Sequence, residues 1–267
     1  MKNEPNHKST SAPAIGDIPC YNQPFVSLFN EDCRETMKRI PDGSIDLMLT
    51  DPPYGTTACD WDIAPNWGEM WLEWERILKP NGAFVFTGSQ PMTTDLVMSR
   101  RGFFKYEMIW DKGRPSNFML SKYQVLKMHE NILVFYREQP TFNPQKTKRN
   151  KWDKRPAGTN TKIVEVTGQK RVIPDATDDE KLDGSIIRIL RNPEAGGHPT
   201  EKPLDLMRYL ILTYSNKGDT VFDGYSGSGT TAHACLKEGR KFIGSELNET
   251  YFKKSVQRLR NVPTELF

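Results

Sequence analysis

No stretch of this chain stays apolar for the roughly 18 residues that a membrane-crossing helix needs. Cysteine is scarce: Cys20, Cys33, Cys59 and Cys235 are the four, and no two form a C-x-x-C pair. That spacing argues against a zinc site, so no metal is expected, and scattered thiols suit a reducing compartment. The net charge is only +3 over 267 residues, so the overall balance says little about an acidic partner and local clusters must be read instead. An internal repeat is missing too. Residues 1–23, which open MKNEPNHKST, lack the apolar core of a secretory signal and read as a flexible leader.

What is present is a globular composition, 36% hydrophobic and 27% charged, at a length that suits one large domain or a domain with an insert. VSLFNED reads as a short strand and CRETMKRI as a brief helix. IDLMLT is an almost continuous apolar run, the pattern of a parallel strand covered on both faces. NWGEMWLEWERIL has helical spacing, with Trp67, Met70, Trp71, Trp74 and Leu78 on one side. LKPNGAFVFTG, KYEMIWDK and ENILVFYRE read as further strands. After a change of character, HPTEKPLDLMRYLILTYSNKGD predicts a helix with Pro203 near its start, and strand, helix, strand and helix follow to Arg260. The alternation predicts an α/β fold.

The change of character spans residues 139–195. Apolar periodicity fades, and TFNPQKTKRNKWDKR sets Lys146, Lys148, Arg149, Lys151, Lys154 and Arg155 against the one acid Asp153. The acidic patch DATDDEKLD follows. This segment reads as an insert. Its basic run is either a solvated face or, with Trp152 inside it, a phosphate-contacting one. Asn143, Gln145, Asn150, Asn160 and Gln169 have side chains able to pair with adenine edges.

TVFDGYSGSGTT brings a strand to Asp223 and then a turn in which Gly224, Gly227 and Gly229 let the backbone approach a ligand. A helix starting near Thr230 aims its unpaired N–H groups at that place. Glu246 ends the next strand, about 20 residues on, where an acid can grip ribose hydroxyls. No Gly-Lys-Ser/Thr follows, which disfavours a P-loop, whereas NAD stays open from this element alone. Asp223 inside the turn would repel a pyrophosphate and suits a cationic ligand.

DPPYG, residues 51–55, stops the apolar strand abruptly. The exocyclic amine of a planar base is a poor nucleophile, because its lone pair is delocalised into the ring. Two acceptors that take its hydrogens free that pair. Asp51 supplies a carboxylate and Pro52 a carbonyl, and the rigid Pro52–Pro53 rings fix their directions. Tyr54 offers a flat face for stacking, and Gly55 lets the turn bend. A base in a duplex must flip out to reach such a site.

With both motifs in view, the chain resembles the β class of DNA amino-methyltransferases, the circularly permuted group acting on adenine N6 or cytosine N4. The likeness runs from about Val26 to Arg260. Asp51, Pro52, Pro53 and Tyr54 match the family's catalytic tetrapeptide, and the catalytic segment precedes the cofactor loop, with the variable basic segment between them. The resemblance implies a Rossmann-like methyltransferase fold, with one twisted, mostly parallel sheet of about seven strands and helices on both faces. Residues 24–138 and 196–267 would form the catalytic and cofactor-binding domain, and 139–195 the target-recognition insert. It implies S-adenosylmethionine as cofactor, held by Asp32 and Cys33 near the adenine, by Asp51, by Asp223, Gly224, Tyr225, Ser226, Gly227, Ser228, Gly229 and Thr230 in the turn, and by Glu246 and Leu247 at the ribose. His198, Thr200 and Lys202 of HPTEKP would hold its methionine end. Double-stranded DNA is the implied partner, contacted by the basic run, in a cytoplasmic enzyme of a bacterium or phage that could pair into a homodimer. An acid at the first motif position leans toward adenine. Cytosine N4, an RNA or protein amide acceptor, a catalytically silent DNA-binding module and an NAD-dependent oxidoreductase are the alternatives, the last of which leaves DPPYG unexplained.

Overall fold

The computed structural model describes residues 20–55, 64–116, 118–148, 164–166, 169–171, 180–190 and 201–262. In chain order its elements are β1 (Cys20–Gln23), β2 (Val26–Phe29), α1 (Cys33–Lys38), β3 (Ile45–Thr50), α2 (Trp67–Ile77), β4 (Leu78–Gly88), α3 (Met92–Ser99), β5 (Phe104–Ser116) and β6 (Lys127–Phe135). Then come β7 (Lys146–Lys148), β8 (Val164–Val166), β9 (Gln169–Arg171), β10 (Glu180–Leu182), β11 (Ile186–Arg188), α4 (Leu204–Tyr214), β12 (Thr220–Asp223), α5 (Thr230–Lys237), β13 (Lys241–Ser245) and α6 (Glu249–Arg260). Nine strands form one sheet in the order β1-β2-β13-β12-β3-β4-β6-β5-β11. All neighbours run parallel except at β1, which turns back on β2, and at β6, which runs against β4 and β5. This is the α/β architecture expected from the alternating pattern.

The central strands explain the two-layered core. Along β4, Ala83 and Val85 face one side, where Leu206, Leu210 and Tyr214 of α4 and Ala232 and Cys235 of α5 pack. Phe84 and Phe86 face the other, against Met37 of α1, Trp71 and Trp74 of α2 and Leu96 of α3. Small aliphatic residues on one face and aromatics on the other follow the period of two along a strand. Trp71 and Trp74 are core residues, as the helical spacing implies, and the Trp71 indole N–H donates to Ser99 Oγ at 2.8 Å.

Several elements differ from the sequence reading. The last residues of the expected leader, Cys20–Gln23, form β1, an edge strand held by backbone pairing to β2 with little of its own surface buried. The insert does not stay outside the sheet: Ile186–Arg188 adds to the edge of β5, with Ile187 buried and the Trp110 indole N–H donating to Ile189 O at 2.8 Å. These two edges raise the count from about seven strands to nine. Helix α3 was not foreseen. Pro91 sits at its cap position without a side-chain hydrogen bond, so the usual start signal is missing. Asp32 does not end a strand but caps α1, which Cys33 opens as the reading of CRETMKRI implies. Asn143, a candidate base reader, instead donates its amide to Leu212 O at 3.0 Å and Ser215 O at 3.1 Å, fastening the root of the insert to the end of α4. Among the described residues no helix is long and apolar enough to cross a membrane.

Candidate active site

Both motifs end adjacent parallel strands. β12 pairs with β3 through Val221–Leu47 and Phe222–Met48, so Asp51 and Asp223 emerge at the same edge of the sheet. The last residue of β3 ties the two together, with Thr50 Oγ1 donating to Asp223 Oδ1 at 2.7 Å. A cleft of about 780 Å³ opens there, lined by both motifs and by Glu246.

Asp51 is held from three directions. Its Oδ1 accepts from the Tyr54 hydroxyl at 2.7 Å and from Thr87 Oγ1 on β4 at 2.6 Å, and its Oδ2 accepts from Lys202 Nζ at 2.5 Å. Pro52 is buried and Pro53 half-buried, and Gly55 takes a φ of 65°, which lets the chain turn away. Tyr54 therefore does more than offer a face: its hydroxyl orients the carboxylate, and Lys202 Nζ lies 3.4 Å from that oxygen. Lys202, expected at the methionine end of a cofactor, lines the cleft and donates to Asp51. Burial works against its ammonium, but Asp51 and Glu130 outweigh that and hold it above the ordinary lysine range.

The glycine turn is built differently. Asp223 is 3% exposed and accepts from Thr50 Oγ1 and from Tyr225 N at 3.0 Å, and burial pushes its pKa up to about 6. Glu246, just past β13, accepts from Gly227 N on Oε2 and from Asn248 N on Oε1, both at 2.8 Å, and burial pushes it up to about 7. Gly229 combines a φ of 79° with close packing, since a Cβ there would meet Ser255 of α6 at 2.9 Å. A Cβ on Gly224 would meet Cys33 at 2.9 Å. Ser226 Oγ lies buried with no hydrogen-bond partner among the described residues.

The remaining expected residues fall into three groups. Asp32 borders the cleft, and the Arg34 guanidinium beside it holds its carboxyl below the ordinary range. Cys33 packs under the turn, its thiol pushed up to about 12 by burial, while Leu247 is exposed at the rim. Ser228 and Thr230 line the cleft but also serve the fold: Arg258 of α6 donates to Ser228 O at 3.0 Å and to Thr230 Oγ1 at 2.7 Å, and pairs with Glu201. His198, Thr200, Arg149, Lys151, Lys154 and Arg155 lie outside the described residues. Lys146 and Lys148 are exposed on β7, which pairs with β10, and Lys146 sits 3.6 Å from Glu180. The start of the basic run thus pairs with the end of the acidic patch, Lys146–Lys148 against Glu180–Leu182. Sequence reasoning missed Thr87 and Arg258, and Glu130 entered it only as the start of the strand ENILVFYRE. A threonine within an apolar strand and an arginine on a charged helix carry no local sign of what they touch.

A family profile described as DNA methylase, of the N6/N4 methyltransferase type, matches residues 45–257. DNA adenine methyltransferase YhdJ of Escherichia coli (strain K12) is 28% identical over 258 residues, 87% of this chain and 82% of the relative. Type II methyltransferase M2.DpnII of Streptococcus pneumoniae is 24% identical over 266 residues, 90% of this chain and 92% of the relative. Among solved structures, the cytosine-N4-specific PvuII DNA methyltransferase matches with a TM-score of 0.63 at 19% identity, covering 90% of this chain and 89% of that one. The complex of M1.HpyAVI with SAM matches at 0.58 and 23% identity, covering 87% and 99%. At these identities the structural likeness speaks for the fold. The matched profile, in contrast, takes in both motif strands and the variable segment between them, and on that ground the chain belongs to the N6/N4 family of DNA methylases, the amino-methyltransferases.

Proposed function

We propose that this DNA methyltransferase moves a methyl group from S-adenosylmethionine to the exocyclic N6 amine of an adenine flipped out of double-stranded DNA. The observation that carries the reading is the Asp51 carboxylate, oriented by Tyr54, Thr87 and Lys202 at the mouth of the cleft that also holds Asp223 and Glu246.

The donor set in the cleft fits the cofactor. Asp223 is buried and Glu246 partly buried, and both carboxyls have raised pKa values, a state that a cationic, hydroxyl-rich ligand relieves. Glu246 would take the ribose hydroxyls and Asp223 would face the positive charge of the methionine end. Ser226 Oγ, buried and unpartnered, is a further place for a polar group of the ligand. When bound, S-adenosylmethionine supplies a methyl carbon made electrophilic by its sulfonium.

At the acceptor side, an ionised carboxylate offers about four lone-pair sites. Tyr54 and Thr87 occupy the two on Oδ1, and Lys202 occupies one on Oδ2. The free site is therefore on Oδ2, beside the ammonium, and that is where the target amine would donate. The Pro52 carbonyl, next along a rigid Pro-Pro turn, would take the amine's second hydrogen. Holding both hydrogens frees the nitrogen lone pair before attack, so no reorganisation is needed at the moment of transfer. The phosphates of the duplex would meet Lys146, Lys148, Arg149, Lys151, Lys154 and Arg155 of the insert, contacts that position DNA without reading it.

Adenine is favoured by the acid at the first motif position and by the name of one sequence relative, DNA adenine methyltransferase YhdJ. Cytosine N4 is the second reading, since the same two acceptors suit its amine and a solved cytosine-N4 enzyme shares the fold. The test is to incubate the protein with unmethylated duplex DNA and S-adenosylmethionine, digest to nucleosides and identify the product by mass spectrometry, with Asp51→Ala alongside. N6-methyladenine, absent from the variant, is expected. N4-methylcytosine would move the choice of base, and wild-type product levels from Asp51→Ala would sink the mechanism.

A further inference from the structure

A buried row of alternating charge leads away from the catalytic carboxylate. Asp51 Oδ2 meets Lys202 Nζ at 2.5 Å, Lys202 meets Glu130 Oε2 at 3.3 Å, and Glu130 Oε1 meets Lys112 Nζ at 3.3 Å. The side chains of Lys202, Lys112 and Glu130 are 8%, 7% and 17% exposed, and they come from three places: the segment before α4, strand β5 and strand β6. Such a row is a poor device for stability, because desolvation offsets most of the attraction and apolar side chains of the same volume would serve as well. Its position is the informative part, since one end is the acid of the catalytic motif.

The contacts along the row differ in kind. Lys202 donates a directed hydrogen bond to Asp51, whereas Glu130 Oε2 makes no well-directed hydrogen bond and acts on Lys202 by charge. One ammonium is thus shared between two carboxylates. Glu130 in turn is anchored from behind by Lys112, which also reaches Ser116 Oγ at 3.2 Å. Without the Glu130 charge, Lys202 would be drawn wholly to Asp51, and Lys112 would be a buried cation facing no carboxylate of this row.

We infer that Glu130, backed by Lys112, is a positioning residue for methyl transfer: it holds Lys202 where the ammonium fills one lone-pair site of Asp51 Oδ2 and leaves the other open to the target amine. The inference rests on the reading of Asp51 as the acceptor of that amine. The groups facing Lys202 are Asp51 and Tyr54 beyond β3, Glu130 and Lys127 on β6, Lys112 on β5 through Glu130, and Asp223 at the end of β12 behind Asp51. Two of these carboxylates, Asp51 and Glu130, raise the Lys202 pKa, so loss of the Glu130 charge lowers it and brings the loss of the ammonium to lower pH.

The test uses the full chain carrying Glu130→Gln, which keeps the shape, and Glu130→Asp, which keeps the charge. Glu130→Gln is expected to lower kcat by roughly 10- to 100-fold, as small displacements of positioning groups do. The KM for S-adenosylmethionine should not change, and the alkaline limb of the rate profile should move to lower pH. Glu130→Asp is expected to recover part of the lost kcat. In the free protein, with no substrate present, the Lys202 ammonium followed by NMR should titrate at lower pH in Glu130→Gln. Wild-type kcat with an unmoved alkaline limb in Glu130→Gln would overturn the inference. So would equal losses of kcat, cofactor binding and melting temperature in both variants, which mean packing alone. An inactive wild type would instead count against the proposed reaction, and the Lys202 titration would still decide whether Glu130 holds the ammonium, an unmoved value refuting it.

Discussion

Two carboxylates stand side by side at the end of adjacent strands and are treated in opposite ways. Asp51 is partly exposed and carries a lysine ammonium, a tyrosine hydroxyl and a threonine hydroxyl. Asp223 is buried, receives only neutral donors, and forms no ion pair among the described residues. Its neighbour Glu246 is partly buried and likewise receives two backbone N–H groups and, among the described residues, no cation. The difference fits the two roles proposed for these ends. In that proposal, a carboxylate already supplied with a cation is a fixed acceptor for a neutral amine. A buried carboxylate without one is costly when ionised, and a ligand that brings positive charge removes that cost.

The sharpest way to break the comparison is to remove each acid and separate rate from binding. Asp51→Ala is expected to lower kcat by about 100- to 1000-fold or more, as loss of a preorganised group at the reacting centre does. The dissociation constant for S-adenosylmethionine, measured by calorimetry, should stay near its wild-type value. Asp223→Ala should do the reverse at the binding step, weakening the cofactor by roughly 10- to 100-fold through loss of a charge-assisted contact. If both variants lost cofactor binding equally, the division between the two strand ends would be wrong.

The raised pKa values give the comparison a pH signature. Asp223 moves from 3.8 to about 6 and Glu246 from 4.5 to about 7. Each binds its proton more tightly in the folded state than in the unfolded chain, so the folded state binds more protons in this window. Their contribution to stability is therefore complete at pH below the lower values and declines as pH rises through the upper ones. The melting temperature of the free protein should carry a negative slope in that range, and Asp223→Asn should flatten it. Affinity for the cationic cofactor should run the other way, rising as Asp223 ionises around pH 6. A cofactor affinity that does not vary with pH would remove Asp223 from the site.

Smaller effects test the turn and the insert. Gly229→Ala meets both a positive φ and Ser255 at 2.9 Å, whereas Gly227, at a φ of 54°, has open space where a Cβ would go. Thermal unfolding should show Gly229→Ala costing roughly 1–3 kcal/mol from overpacking alone, and Gly227→Ala about 1–2 kcal/mol from the left-handed backbone. Equal costs would mean that α6 yields easily at Ser255. Neutralising Lys146 and Lys148 together should weaken DNA binding and lower the slope of log affinity against log salt by up to about two. An unchanged slope would make β7 a solvated face, a result its pairing with Glu180 already allows for Lys146.

Legibility followed how many residues in a row carry a signal. IDLMLT was readable as β3 because nearly every position is buried, and α2 because Met70, Trp71 and Trp74 repeat at helical spacing. β1 and β11 were not, because an edge strand of three or four residues with at most one buried side chain is held by backbone bonds that any sequence can make. DPPYG and the glycine turn were readable because each is contiguous and carries its chemistry in residue type and order. Thr87, Glu130 and Arg258 were not, because their roles depend on partners far along the chain.

The sequence by itself determined the strand ends, the acids placed on them and the order of DPPYG before the glycine turn, since each is local and each follows from backbone stiffness, glycine freedom or an apolar run. Only the tertiary structure decided which charges meet. Lys202 reaches Asp51 across 151 positions of chain, and Glu130 and Lys112 arrive from two further strands. An ion pair depends on distance and burial, and neither is set until parallel strands and their crossovers bring remote segments to one edge of a sheet.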